Sequence, residues 1–214
     1  GYDRAAARAA RVYSARSAGQ EGAASLHADI SVAADAVQPA LGVHAVWTLT
    51  GAGELAVRLR AHASAGFPSL PRFGLRLFLP RVMQQVAYYG LGPGESYVDK
   101  HRSCRHGEFT TTVAELAAEL HRGCIRPQES GSRADCDYVT LSDGDLGLTA
   151  VGLRPFSFNV SAYTQEELTR TAHDVELAQC GSTVLCLDGA MAGIGSASCG
   201  PELRPEYRVD DEAL

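Results

Sequence analysis

Apolar and polar residues alternate along much of the first half of the chain. A period of two is seen over residues 26–32, 43–49, 55–61 and 73–79. Alternation with this period indicates strands with one buried and one solvated face, as in an antiparallel sheet. The glycines of Gly51-Ala52-Gly53 predict a hairpin turn between the second and third of these segments.

The second half is less regular, but it adds enough elements to predict the fold class. Further strands are predicted at residues 82–89, 137–141, 146–151, 155–161 and 183–187, with an extended stretch at 204–209. Apolar residues at helical spacing predict a helix over 112–121, and Thr164 with Glu167 forms a capping box before a short helix. Many short strands with two minor helices predict an all-β fold, a large antiparallel two-sheet β-sandwich with one or two short helices.

The pattern predicts one domain. Residues 1–9 have a helical composition without an apolar stripe, which indicates a cut end or a linker. The β-sandwich domain is expected to occupy residues 10–214.

Composition and charge exclude several classes of function. Of the 214 residues, 45% are apolar and 21% are charged, and the formal net charge is −6. A nucleic-acid or anionic-membrane surface needs clustered Lys and Arg, so neither partner is expected. Because there is neither a long apolar segment nor a signal-peptide pattern, the sequence predicts a soluble, cytoplasmic chain.

Cysteines and histidines give no strong metal or disulfide signal. The six cysteines, at positions 104, 124, 136, 180, 186 and 199, form no CxxC pair and are predicted to be free thiols. A Cys180–Cys186 disulfide stays a minor alternative. His101, Cys104 and His106 are close in sequence, but the arginines between them would oppose a cation. No metal site is therefore predicted in this chain.

A glycine-rich stretch, residues 187–201, follows the predicted strand 183–187. Its glycines at 189, 193, 195 and 200 allow positive φ and close approach to a neighbour or ligand. A loop held at both ends by a sheet is a candidate functional site, although the same spacing also fits a long turn without further function.

Four motif blocks occur in order between residues 71 and 201. The first is PRFG followed by YGLGPGESYVD, which contains Gly90, Gly92, Pro93, Glu95, Tyr97 and Asp99. The second is RPQESGSR, with Pro127, Glu129 and Arg133; the third is FSFNVSAY, with Asn159, followed by His173. The fourth is the glycine-rich stretch from Asp188 onward. Together the blocks resemble the C-terminal, small-chain region of the β-galactosidases of glycoside hydrolase family 2, with Ser130 where the family usually has Asn.

This resemblance implies a galactose-mutarotase-like supersandwich and reduces the helix at 112–121 to one or two turns. It also implies a retaining enzyme that hydrolyses terminal β-D-galactosides such as lactose. In the family both catalytic glutamates lie on a separate barrel domain, and nothing here matches their motifs. No catalytic residue is expected in this chain, and the chain alone is expected to be inactive.

The resemblance further implies a loop at the edge of the active site. Its residues would be Gly193, Gly195, Ser198, Cys199, Gly200 and Pro201, with Cys199 where well-known members have a Trp that stacks on the acceptor. The other motif residues named above, from Gly90 to Asp188, are expected to be structural. The implied partners are the remaining domains of the same enzyme, a galactoside substrate and further copies in a homo-oligomer. Mg and Na are expected for the full enzyme, with no cofactor on this chain.

Two other functions stay open. A mutarotase-like aldose epimerase would share the fold and would need a histidine and a glutamate facing each other across a sugar-sized cleft. A non-catalytic module for carbohydrate binding or oligomerisation would need exposed aromatic side chains in a groove or a large apolar patch.

Overall fold

The computed structural model describes residues 5–16, 23–34, 41–64, 69–120, 125–195 and 200–209. Its chain divides into two compact units, Gly1–Ser69 with Asp210–Leu214, and Leu70–Val209. The described residues form two antiparallel sheets of four and six strands with two short helices, which confirms the all-β prediction.

The first unit contains a four-stranded meander. The strands are β1 (Ala6–Arg16), β2 (Ala24–Ala33), β3 (Leu41–Leu49) and β4 (Leu55–Ala63), and they pair in chain order. The period-two segments therefore form β2, β3 and β4, and Gly53, with φ of +83°, makes the predicted hairpin turn. β1 was not predicted as a strand, and it takes in the last residues of the segment expected to be a cut end or linker.

The second unit contains the six-stranded sheet. Its strands are β5 (Arg72–Pro80), β6 (Gln85–Gly92), β7 (Arg105–Thr112), β8 (Arg133–Ser142), β9 (Gly147–Ser161) and β10 (Ser182–Met191), in the order β5-β10-β9-β8-β6-β7. The two segments predicted at 146–151 and 155–161 are one long strand, β9. The strand predicted from residue 82 begins at Gln85, because residues 81 and 82 form a turn.

Two helices connect strands of this sheet. α1 (Val113–Leu120) has eight residues, about two turns, which confirms the reduced prediction. Its N-terminus is capped because Thr112 Oγ1 accepts from Glu115 N at 3.2 Å and Glu115 accepts from Thr112 N at 2.9 Å. α2 (Gln165–Arg170) begins after Thr164, whose hydroxyl accepts from Glu167 N at 3.1 Å.

The chain end that was expected to be extended contains a helical turn. Pro205–Tyr207 form a single 3-10 turn, which begins with the proline whose fixed φ suits a first helical position. Val209 then pairs with Leu70, and the Leu70 amide donates to the Val209 carbonyl at 2.9 Å.

Side chains from β6, β8, β9, β10 and α1 form the core of the second unit. Tyr88 lies at its centre and makes an edge contact with Phe158, with ring centroids 5.0 Å apart. Cys136, Val139, Leu141 and Leu185 are completely inaccessible to solvent. This core supports the turns and strand ends where the predicted motif residues lie.

Burial separates the free cysteines of the described chain into two kinds. Cys136 and Cys186 are buried, whereas Cys104 and Cys180 are half-buried. Burial raises the pKa of the Cys136 thiol to about 12 and that of Cys186 to about 11. A thiol with a raised pKa forms little thiolate, which is the nucleophilic species.

We expect Cys136 and Cys186 to resist alkylation by iodoacetamide at pH 8 in the native protein. At that pH a pKa near 12, against 9.0, leaves about a thousandfold less thiolate at Cys136. Peptide mass spectrometry would measure the labelling, with urea-unfolded protein as the control in which both react. Rapid native labelling of Cys136 would contradict the packing described.

Candidate functional site

The turn between β6 and β7 joins the first two motif blocks around a buried serine. Ser96 N donates to Ser132 O at 2.8 Å, and the Ser96 hydroxyl accepts from Ala134 N at 2.8 Å. The same hydroxyl donates to Leu91 O at 3.2 Å. The turn, which contains the cis peptide Gly92–Pro93, is therefore tied to the beginning of β8. Ser96 was not singled out in the sequence, because nothing local marks a buried hydroxyl.

Glu95 and Arg133 both bond the backbone of Gly131 in the second motif block. Glu95 accepts from Gly131 N at 3.0 Å and pairs with Lys100. The pKa of the Glu95 carboxyl is lowered. Burial acts to raise this pKa, but the hydrogen bonds from Lys100 and Gly131 have the larger effect. Arg133 is buried and donates to Gly131 O at 2.9 Å. Such charge-assisted bonds are the structural role expected of these residues.

Tyr97 lies in this turn, and the remaining residues of the second and third blocks differ in their surroundings. Tyr97 is buried, and burial with the nearby Glu95 carboxylate raises its pKa to about 12. Asn159 on β9 donates to Ser130 O at 2.5 Å. Pro127 is buried, whereas His173 is exposed and bonds Glu176 after α2. Within the described ranges, His173 makes no hydrogen bond or ion pair with the other motif residues.

A buried ion pair links the first block to the fourth. Arg72 on β5 donates from Nε to Asp188 Oδ1 at 2.9 Å and from Nη2 to Asp188 Oδ2 at 2.5 Å, and it also pairs with Glu129. Burial raises the pKa of the Asp188 carboxyl against the opposing effect of Arg72. The pKa of Arg72 is raised. Burial acts to lower this pKa, but the hydrogen bonds and the negative charge of Asp188 have the larger effect. Each carboxylate oxygen of Asp188 therefore accepts a hydrogen bond from one nitrogen of Arg72.

The glycine-rich stretch begins at the end of β10 and is held by Asp99. Asp99 accepts from Ile194 N at 3.0 Å and from Gly195 N at 2.8 Å. A Cβ on Gly193 would lie 2.5 Å from the Asp99 carboxyl carbon, so this approach requires glycine. Gly195 has φ of +68°. Asp99 therefore fixes the first half of the loop, which sequence spacing alone did not show.

The other predicted loop residues differ in what can be described. Gly200 and Pro201 are exposed. Ser198 and Cys199 lie outside the described residues. Gly193 N donates to Tyr207 O at 2.9 Å, so the returning chain holds the loop from its other side.

The side chains of the cluster His101, Cys104 and His106 each bond a different part of the backbone and do not form one site. His101 Nδ1 donates to Tyr97 O at 3.1 Å, and His106 Nε2 lies 2.9 Å from Asp135 O. Cys104 Sγ donates to backbone carbonyls of the turn. Within the described ranges, no three His, Cys, Asp or Glu side chains are grouped so that they could hold a metal ion.

Neither helix in the described part of the chain is long and apolar enough to cross a membrane.

A family model and several known proteins match this chain. The family model described as "Beta galactosidase small chain" matches residues 2–214. A β-galactosidase of Actinobacillus pleuropneumoniae is 45% identical over 157 residues, which cover 73% of this chain and 15% of that protein. A β-galactosidase of Staphylococcus xylosus is 40% identical over 190 residues, which cover 89% of this chain and 19% of that protein.

A shorter relative also matches. The "Beta-galactosidase small subunit" of Latilactobacillus sakei is 32% identical over 185 residues, which cover 80% of this chain and 56% of that subunit. The chain thus spans less than a fifth of the two longer relatives and about half of the small subunit.

Proposed function

Because the chain belongs to the β-galactosidase small-chain family, we propose that it holds a loop at the edge of an active site formed elsewhere in the enzyme. The observation that supports this is the Asp99 carboxylate, which accepts two backbone N–H groups at the start of the loop. A loop that meets a substrate must be ordered before the substrate arrives, since ordering it on binding costs free energy. Asp99 supplies that order from a neighbouring turn.

The reaction proposed for the whole enzyme is hydrolysis of terminal β-D-galactosides such as lactose with retention. The two reacting glutamates would lie in a barrel domain, and this chain would supply only the wall of the acceptor side. Cys199 would take the place of an aromatic platform, so acceptor binding would be weaker by the stacking energy, about 0.5–1.5 kcal/mol in aromatic pairs. The Ser198–Pro201 stretch would form the contact.

Other parts of the enzyme would complete the site. We propose that those parts also bind the Mg and Na ions expected for the full enzyme. A cytoplasmic homo-oligomer is the assembly that we propose.

The epimerase alternative is not favoured by the cleft nearest the loop. His101 lies on its wall, but the carboxylates there belong to Asp135 and Asp188. Asp188 is engaged by Arg72 and so is not placed to act as a base. The histidine–glutamate pair that an epimerase would need is not what the described residues of this cleft provide.

The proposed loop function is tested by Asp99→Ala in the full-length enzyme. Without the carboxylate the loop loses two charge-assisted hydrogen bonds, and kcat/KM for lactose is expected to fall about tenfold or more. Steady-state kinetics would measure it.

Asp143→Ala is the matched control. Asp143 also accepts two backbone N–H groups, from Asp145 at 3.0 Å and Leu146 at 2.8 Å, but in the β8–β9 hairpin. Its kinetics should be unchanged. Equal losses in the two variants would contradict the loop function, and hydrolysis of a nitrophenyl galactoside by this chain alone would contradict the location of the glutamates.

A further inference from the structure

A cleft of about 340 Å³ lies at one end of the six-stranded sheet. Its wall crosses the adjacent strands β10, β9 and β8 and is completed by the turn after β6. This volume is within the range of small-molecule sites, about 300–1,000 Å³. The epimerase alternative was weighed on this cleft and is not favoured there, and the proposed loop function does not use the cleft.

Three irregularities in the sheet converge on this cleft. In β10 the pairing with β5 skips Gly189, and in β8 two residues, Ala134 and Asp135, oppose one residue of β9. In β9 residues 152–155 oppose the single residue Asp137 of β8. Gly189, Asp135 and Pro155 all border the cleft. Bulges re-aim side chains and are frequent next to functional sites.

Asp135 is the most unusual residue of the wall. Its φ is +54°, and among the described residues it is the only one other than glycine with a positive φ. A non-glycine residue in this region costs free energy, about 1–3 kcal/mol, that surrounding structure must supply. Its carboxylate is about half exposed, and it lies 3.7 Å from His106 Nε2. The fold thus holds a solvent-accessible carboxylate at the rim in a strained conformation.

The chemistry of the wall selects against anions. Phe156, Pro155 and Met191 provide apolar surface, whereas Asp135, Ser157 and His101 provide polar atoms. His101 donates from Nδ1 to Tyr97 O, so in the neutral ring Nε2 is a hydrogen-bond acceptor. The described residues that line the cleft include neither lysine nor arginine. A ligand would therefore need hydrogen-bond donors and an apolar face, and a negative charge on it would be repelled by Asp135.

We propose that this cleft binds a neutral, polyhydroxylated molecule of the size of one sugar ring. Hydroxyl groups donate to the Asp135 carboxylate and to His101, and the C–H face of the ring packs on Phe156 and Met191. This proposal does not depend on the loop function of Asp99.

The test uses the full-length enzyme with its catalytic centre blocked by a 2-fluoro galactoside, and labelling is followed by intact-protein mass spectrometry. Galactose is then titrated by calorimetry. We expect one galactose site per chain after blocking, and binding of galacturonate at least tenfold weaker because of its carboxylate. If the fluoro sugar does not label the enzyme, the proposed glycosidase role is contradicted. The cleft is still tested in that case, because galactose binding is compared between the unmodified enzyme and the Asp135 and Asp137 variants.

Asp135→Asn is the informative variant, because asparagine tolerates positive φ and removes only the charge. Galactose should bind at least tenfold more weakly, and the discrimination against galacturonate should disappear. Asp137→Asn, an exposed neighbour on β8 that does not border the cleft, should bind as the unmodified enzyme does. No galactose binding to the blocked enzyme, or unchanged binding by Asp135→Asn, would overturn the proposal.

Discussion

Replacing Arg72 with methionine is expected to weaken the β5–β10 pairing by about 3–5 kcal/mol, the usual cost of removing one partner of a buried ion pair. Asp188 has only 3% of its side chain exposed, so it would be left as an uncompensated buried charge. Amide hydrogen exchange in β5 and β10 of the full-length enzyme would measure the loss. Exchange should accelerate at least a hundredfold where these amides exchange by local opening.

Arg76→Met is the control for this variant. Arg76 lies on the same strand and pairs with Glu166, but the two side chains are 36% and 66% exposed. Exposed pairs contribute about 0–1 kcal/mol, so exchange should change by less than tenfold. Equal effects of the two substitutions would show that burial of the Arg72–Asp188 pair does not matter.

The Arg72→Met effect should depend on pH with a defined sign. Burial raises the pKa of Asp188 in the folded chain, and removal of Arg72 raises it further. A carboxyl with a raised pKa binds its proton more tightly in the folded state, so folding is favoured as pH falls through that pKa. Protection relative to the unmodified enzyme should therefore recover as pH is lowered from 7 toward 5, after correction for intrinsic exchange rates.

Gly90→Ala is expected to give the second large effect, about 1–3 kcal/mol of destabilisation. A Cβ at this position would lie 2.9 Å from Cys136 Cα and closer still to Cys136 Sγ. Cys136 is completely buried and its backbone belongs to β8, so it cannot move aside without disturbing the sheet. The alkylation rate of Cys136 should rise about fivefold or more as local opening becomes easier.

Gly107→Ala is a control from the same strand pair. Gly107 on β7 lies directly opposite Gly90 on β6, yet a Cβ there would meet only the Phe109 ring at 3.7 Å, an ordinary contact. Stability should stay the same or rise slightly, because alanine restricts the unfolded chain more than glycine does. If Gly107→Ala destabilised the sheet as much as Gly90→Ala, close approach to Cys136 would not be the cause.

These variants probe contacts that join residues far apart in the chain, and such contacts are where sequence-based inference reached its limit. The resemblance to the β-galactosidase family marked Asp188, Glu95 and Asp99 as motif residues but paired none of them. Arg72 was visible only as part of the PRFG block, and the bulge at Asp135 had no local signal at all. Pairing across β5 and β10, or between the turn after β6 and the loop after β10, depends on strand order, which period-two alternation does not encode.

The sequence by itself determined the all-β class, most strand positions, the hairpin at Gly53 and the short helix after Thr164, because alternation, turn glycines and capping act over a few neighbouring residues. Only the tertiary structure decided that β9 is one strand and that Asp99 holds the loop at Ile194 and Gly195. It also brought Gly189, Asp135 and Pro155 to one cleft. These outcomes depend on which strands become neighbours, and burial of the shared core, rather than any local preference, selects that arrangement.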